Sequence, residues 1–231
     1  MNEAEFDSVA NEYEAQHRTN IAITGEGPEF FAEYKIVAAQ AITQARDLTV
    51  RRILDFGSGI GNSIPYFRRL FPGAALTCSD ASQRSLALSQ TRFPGGEDYA
   101  LVDGQSIPVA DAMADLCFSA CVFHHIPHEE HVHWLAELRR TTRPGGMLIV
   151  FEHNPLNPLT LRAVNTCPFD VNARLIRAAV LASRLAAAGW RDVTTRYHIF
   201  FPRRLAWLRP LEGALQSVPF GAQYSLSAVA P

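Results

Sequence analysis

Lysine is almost missing from this chain of 231 residues: of 21 basic side chains only Lys35 is a lysine, and the arginines are scattered from Arg18 to Arg209. With 23 acidic residues the formal net charge is −2. No basic stripe forms on any predicted helix, which argues against a nucleic-acid partner. Cysteine is scarce as well. Cys78, Cys117, Cys121 and Cys167 show no CxxC spacing, and three of them lie in or beside apolar runs, where a reduced thiol behaves as a small hydrophobe. Neither a disulfide framework nor a zinc site is expected. Long hydrophobic runs are absent too. The longest, such as MLIVF at 147–151, fall far short of the ~20 residues needed to span a bilayer. The opening MNEAEFDSVANEYE is acidic where an export leader would be basic, so the expected location is cytoplasmic. No segment repeats at a fixed period.

What the chain does have is enough apolar material for a full core: 48% hydrophobic against 19% charged residues. From residue 50 onward, strand-like and helix-like patterns alternate. VRRILDF leads into a glycine loop, and IGNSIPYFRRLF then places Ile60, Ile64, Phe67 and Phe71 at helical spacing until Pro72-Gly73. AALTCSD and SQRSLALSQTRF repeat the unit, and DYALVD and ADLCFSA supply further strands. In HHIPHEEHVHWLAELRRTT, Val132, Leu135 and Leu138 are expected to face a sheet, with His131 and His133 on a solvated face. MLIVFEH is a fifth strand, Asp170 a candidate N-cap for a helix ending at Gly189, and DVTTRYHIF a sixth strand. In AQYSLSAV, Tyr224, Leu226 and Ala228 alternate with polar residues as in a half-buried strand.

Strands separated by helices imply right-handed crossovers and a parallel sheet covered on both faces. The expected fold is therefore α/β and Rossmann-like: a doubly wound, mostly parallel seven-stranded sheet, helices on both faces, and an antiparallel C-terminal edge strand. One domain is expected over 1–231, with an N-terminal helical lid at 1–46, a cofactor-binding core at 50–152, and substrate-side helices with the last two strands at 153–231.

ILDFGSGIG at 53–61 carries glycines at 57, 59 and 61, more than one tight turn needs. Bare backbone between a strand and a helix admits a ligand closely, and the helix N-terminus offers unpaired N–H groups to an anion. The dinucleotide fingerprint G-x-G-x-x-G would need a glycine at 62, where the chain has Asn62. A carboxylate ending the second strand, Asp80, suits two ribose hydroxyls in either kind of nucleotide fold.

Asp55 followed by Gly57, Gly59 and Gly61 resembles instead the first motif of class I S-adenosylmethionine-dependent methyltransferases. Three further stretches, LVDGQSIP, ADLCFSACVFHHIP and RPGGMLIVFEHN, are similar to later motifs of that family, in order, over residues 50–152. The HHIP stretch, the Pro-Gly-Gly turn and Ala188-Gly189-Trp190 resemble its small-molecule branch, which includes quinone-biosynthesis enzymes of methyltransferase types 11 and 12. The resemblance implies S-adenosyl-L-methionine as cofactor and S-adenosyl-L-homocysteine as product. It implies a cofactor set of Asp55, Gly57, Ser58, Gly59, Gly61, Asp80, Ala81, Asp103, Gly104, Gln105, Ser119, Ala120, Phe123 and His124, with Asp103 receiving the adenine amine. It also implies methyl transfer to a small-molecule acceptor, O-methylation being favoured over N or C. The alternatives are a non-catalytic protein that binds the same cofactor and, more remotely, an NAD-dependent oxidoreductase.

Transfer to a hydroxyl gains from a general base. His124 and His153 are the first candidates, because each follows the carboxyl end of a strand; His125 and Tyr13 come next, with His17 beside Tyr13 on the expected lid. Five histidines fall between 124 and 133, and Pro127 interrupts their helical spacing, so no metal site is expected. Arg162, Arg174, Arg177, Arg203, Arg204 and Arg209 sit among Phe, Trp and Pro, a mixture suited to an anionic or ring-containing acceptor.

Overall fold

The computed structural model describes residues 25–167 and 172–231. The expected helix around Phe6–Tyr13, the candidates Tyr13 and His17, and the expected N-cap Asp170 lie outside the described residues.

Helix α1 (Pro28–Gln44) starts with proline in its first turn, where the missing N–H costs nothing. There follow β1 (Arg52–Phe56), α2 (Ile64–Leu70), β2 (Ala75–Asp80), α3 (Gln83–Arg92), β3 (Asp98–Leu101) and β4 (Ala114–Ala120). The Ser82 hydroxyl accepts from Ser85 N and caps α3, so this role does not fall to Asp80. A single 3-10 turn, Phe123–His125, precedes α4 (His131–Thr141) and β5 (Thr142–His153). The chain closes with α5 (Pro158–Asn165), α6 (Ala178–Ala187), β6 (Arg191–His198), a 3-10 segment (Arg203–Leu211), α7 (Glu212–Leu215) and β7 (Gln223–Val229).

The seven strands form one sheet in the order β3-β2-β1-β4-β5-β7-β6. β1 to β5 pair in parallel, and β7 is antiparallel to both β5 and β6. The C-terminal strand is thus antiparallel as expected, yet it lies one place in from the edge, and β6 is outermost. Burial explains the insertion: every residue of Gln223–Ala228 is buried, whereas β6 is mostly half-exposed.

Two apolar layers cover the sheet. On one face Leu54, Phe56, Trp134, Leu135, Leu148, Leu181 and Tyr224 pack together; on the other Ile36, Ile53, Phe67, Phe118, Ile149 and Phe151 do so. Two expectations for α4 are corrected. Val132 is exposed, because Trp134, Leu135 and Leu138 form the buried stripe instead. His131 is fully buried, its Nε2 at 3.0 Å from Ile126 O and its Nδ1 at 2.6 Å from Arg184. Gly189, with φ 89°, stops α6 as expected.

Candidate functional site

The site is built at the carboxyl ends of β1, β2 and β4, where an open α/β sheet leaves a crevice. Gly57, Gly59 and Gly61 have φ of 74°, 52° and 81°, a region that side chains disfavour. At Gly57 the need is also steric: a Cβ would stand 2.3 Å from Val122 Cγ2. Around Gly59 the space is open, with no heavy atom within 4 Å of where a Cβ would be. The loop therefore presses on the β4 turn at one glycine and opens a gap at the next. Gly57 N and Ser58 N both donate to Ser79 O, tying the loop to β2.

Carboxylates border that gap. Asp80 Oδ2 accepts from Gly59 N at 2.8 Å and Oδ1 from Ser82 N at 2.9 Å. Asp55 is buried at the end of β1, and its Oδ2 has no partner among the described residues. Burial, with Asp80 adding to it and Lys35 opposing it, raises the Asp55 carboxyl to about 7. A buried carboxyl oxygen left without a donor is the feature expected where a cationic ligand group is to sit. Ser119, buried at the end of β4, has an unpartnered Oγ, and Ala120 follows it half-exposed. Ala81 is buried beside Asp80.

After β3, Asp103 and Gly104 lie exposed with Gln105. Asp103 Oδ1 accepts from Gln105 N (3.1 Å) and Ser106 N (3.2 Å), an Asx turn that holds its carboxyl below the usual carboxylate range. Phe123 is fully buried in the core, 6.2 Å from the Phe56 ring and 5.4 Å from that of His131.

The histidines divide sharply. His124 is 2% exposed, and its Nδ1 lies 2.6 Å from Glu152 Oε2. Glu152 Oε1 meanwhile accepts from Val122 N (3.0 Å) and Phe123 N (2.8 Å). Burial alone would raise the Glu152 carboxyl; the neighbouring His124 and His153 rings and the Phe123 N–H bring it below its usual value. Glu152 thus pins the turn after β4, with His124 as its buried partner. His125 and His153 remain half-exposed, their rings 4.1 and 5.2 Å from that of His124.

Sequence reasoning missed Glu152, Lys35, Cys121 and Gln223. Lys35 Nζ lies 3.3 Å from Cys121 Sγ. Its standing as the sole lysine among arginines was the one available signal. Of the six arginines expected to grip an acceptor, two serve the fold. Arg209 pairs with Glu26 at 2.6 Å and lies 4.6 Å over the Phe30 ring, and Arg203 donates to Gly25 O at 3.1 Å. They strap the 3-10 segment to the start of α1. No group of three metal-ligating side chains occurs among the described residues.

Residues 54–150 match the methyltransferase domain family. A trans-aconitate 2-methyltransferase from Methylobacterium nodulans is 32% identical over 171 residues, covering 68% of this chain and 62% of the relative. A malonyl-[acyl-carrier protein] O-methyltransferase from Hahella chejuensis is 31% identical over 116 residues, 50% of this chain and 41% of its own length. The chain thus spans less than two thirds of each of these relatives. Among solved structures, a Thermotoga maritima S-adenosylmethionine-dependent methyltransferase, described as a possible histamine N-methyltransferase, aligns over 99% of both chains with TM-score 0.68 and 16% identity. Human N-acetylserotonin methyltransferase in complex with SAM aligns over 90% of this chain and 58% of its own, with TM-score 0.58 and 19% identity. The structural likenesses establish the fold. The crevice fits the cofactor of that family on its own geometry, through the gap at Gly59, the orphaned Asp55 Oδ2 and the Asp80 carboxylate beside both.

Proposed function

Because the chain belongs to the class I S-adenosylmethionine-dependent methyltransferases, in the type 11 branch, we propose that it moves a methyl group from S-adenosyl-L-methionine to an oxygen of a small acidic acceptor. The single observation that carries this reading is the buried, unpartnered Asp55 Oδ2 at the head of a glycine loop that is open at Gly59. Asp55 would receive the ammonium of the cofactor's amino-acid tail, and Asp80 its ribose hydroxyls. Gly104 and Gln105 would lie along the base, with Asp103 both shaping their turn and facing the exocyclic amine. Ser58, Gly61, Ala81, Ser119 and Ala120 would complete the walls. When bound, the cofactor supplies a methyl group on a sulfonium, already a good leaving group.

The chain's own task is then to orient the acceptor and exclude water, and orientation can supply roughly 7 to 11 kcal/mol of the barrier. The acceptor would enter between α1 and the ends of β4 and β5, where Lys35 and His153 give it cationic and hydrogen-bonding partners. His153 and His125, both half-exposed, are the groups able to take a proton. His124, committed to Glu152, acts by holding the turn that carries His125 beside the end of β5, where His153 stands. An acidic acceptor is supported by the two relatives named for trans-aconitate and malonyl-[acyl-carrier protein]. A carboxylate oxygen needs no general base at neutral pH, which suits a site whose best-placed histidine is buried. We assign residues 50–152 to the cofactor core and the described residues from 153 onward to the acceptor side of one domain.

The test is calorimetric titration of the full chain with S-adenosylhomocysteine, followed by incubation with S-adenosylmethionine and a panel of di- and tricarboxylic acids, read by mass spectrometry of methyl esters. Heat on titration and one esterified acid are expected. Absence of heat from folded protein at millimolar ligand overturns the reading; heat with no esterified acid anywhere in the panel overturns the choice of an acidic oxygen acceptor.

A further inference from the structure

The proposed methyl transfer gives no role to one thiol at the crevice, that of Cys121. Cys121 directly follows β4, has φ 60°, and is half-buried, whereas the other described cysteines are buried. Its neighbour Val122 is the residue that packs on Gly57, so the thiol stands beside the crevice. Three elements converge on Sγ. From α1, Lys35 Nζ lies at 3.3 Å; from β7, Gln223 Nε2 lies at 3.9 Å; from β5, the His153 ring acts on the thiol electrostatically. The other titratable groups that feel it are Tyr34 on α1, Glu152 on β5 and Tyr224 on β7. Burial alone would raise this thiol, but His153 and Lys35 outweigh it and bring the group to about 6, with Glu152 opposing them. Cys117 shows the contrast: burial in the core pushes its thiol up to about 11.

A second observation points to a ligand. Gln223 is 5% exposed, yet its Oε1 has no hydrogen-bond partner among the described residues. Its amide nitrogen approaches Cys121, so the whole amide is turned toward the thiol. Buried amide oxygens are ordinarily paired, and this one is left for a donor that arrives with a ligand.

We propose that Cys121 is a nucleophilic site for small carbon electrophiles that carry an N–H donor next to the reactive carbon, the donor seating on Gln223 Oε1. In the reaction a sulfur lone pair forms the C–S bond, and the bond from carbon to the leaving group breaks with its electron pair. With a haloacetamide the products are a thioether and a halide ion, and no redox partner is needed. Lys35 and His153 keep the sulfur in its anionic form and face the departing negative charge. The inference stands on the thiol's own surroundings and does not depend on the methyl-transfer reading.

The test is iodoacetamide labelling of the folded full chain between pH 6 and 9, in the absence of any cofactor, with each cysteine followed by peptide mass spectrometry. At pH 7 Cys121 should react about two- to fourfold faster than it does in the urea-unfolded chain, where the thiol has its ordinary value: the larger thiolate fraction outweighs the lower nucleophilicity of a less basic sulfur. Its rate should be nearly flat from pH 7 to 9. Lys35→Met should slow the pH 7 rate several-fold and restore a climb with pH. Ethyl iodoacetate lacks the N–H, so the folded protein should prefer iodoacetamide over it relative to the unfolded chain, and Gln223→Leu should erase that preference. Cys121 reacting no faster at pH 7 than in the unfolded chain, or a rate that keeps climbing to pH 9, would overturn the assignment. Equal treatment of the two reagents would overturn the role of Gln223.

Discussion

At the scale of single residues, Asp55 and Gly59 carry the tightest consequences. The folded-state Asp55 carboxyl sits near 7 against an ordinary 3.8. A folded value above the unfolded one means that the unfolded chain gives up this proton first. The stability tied to that proton is therefore complete below about pH 4 and is lost as pH rises through 7. Asp55→Asn removes a loss of about 2 to 4 kcal/mol, so the variant should melt later than the parent at pH 8 and about equally at pH 4. Scanning calorimetry across that range checks it; a parent whose stability does not fall between pH 4 and 8 refutes it. The same substitution should weaken S-adenosylmethionine, because the neutral amide replaces a charge. Gly59 behaves oppositely. A Cβ there meets no protein atom within 4 Å, so the first cost to the fold is the ~1 to 2 kcal/mol strain of a side chain at φ 52°. The side chain would fill the gap meant for ligand. Calorimetry on Gly59→Leu should find at least a ~100-fold loss of S-adenosylhomocysteine affinity, roughly 3 kcal/mol. These two residues were legible in the sequence because glycine at a required positive φ and an acid at a strand end are local signals. Glu152 and Gln223 were not, since their partners lie 28 to 102 positions away. For His124, imidazole chemistry can be read from the sequence, whereas its burial against Glu152 cannot.

At the scale of elements, the turn after β4 depends on one carboxylate from β5. Glu152 takes two backbone N–H groups and the His124 ring in a region with 1% side-chain exposure on both partners. Replacing it by alanine leaves those donors buried and unpaired, at a cost of about 3 to 5 kcal/mol. Glutamine keeps an acceptor for the N–H groups but loses the charge, and should cost less. Since the folded carboxyl lies below its unfolded value, the stability it contributes is present above the ordinary carboxylate range and is lost as pH falls through the folded value. Glu152→Gln should therefore be destabilised at pH 7 and converge with the parent in acid, as urea titrations at the two pH values would reveal; a constant difference would assign the effect to packing. The strand and helix order was readable because period 2 and period 3.6 persist over each element. The placement of β7 between β5 and β6 was not. Its alternation marks a half-buried strand, while full burial of both faces comes only from neighbours that the pattern does not name. The segment from Arg203 to Leu215 resisted reading because Pro210 inside it, with Pro202 and Pro219 on either side, forbids a long helix without dictating what replaces it.

At the scale of the whole molecule, the crevice is lined by ends of strands that are far apart in sequence and meet only in the folded sheet. A ligand that bridges β1, β2 and the turn after β3 binds the native state and has no counterpart on the unfolded chain. Its effect on stability is then fixed by mass action: S-adenosylhomocysteine at a hundred times its dissociation constant should add about 2.7 kcal/mol. For a chain of this length that is a rise in melting temperature of roughly 5 to 10 °C, at about 2 to 4 °C per kcal/mol. The rise should grow with the logarithm of ligand concentration, and it should vanish in Gly59→Leu, whose own melting temperature should fall by about 2 to 8 °C for its ~1 to 2 kcal/mol of strain. NADH at the same concentrations should give no rise, because Asn62 stands where a dinucleotide loop requires glycine. Differential scanning fluorimetry of parent and variant with both ligands separates the outcomes. A shift with NADH alone would move the chain to hydride chemistry, and a shift that survives in Gly59→Leu would put the nucleoside outside the loop.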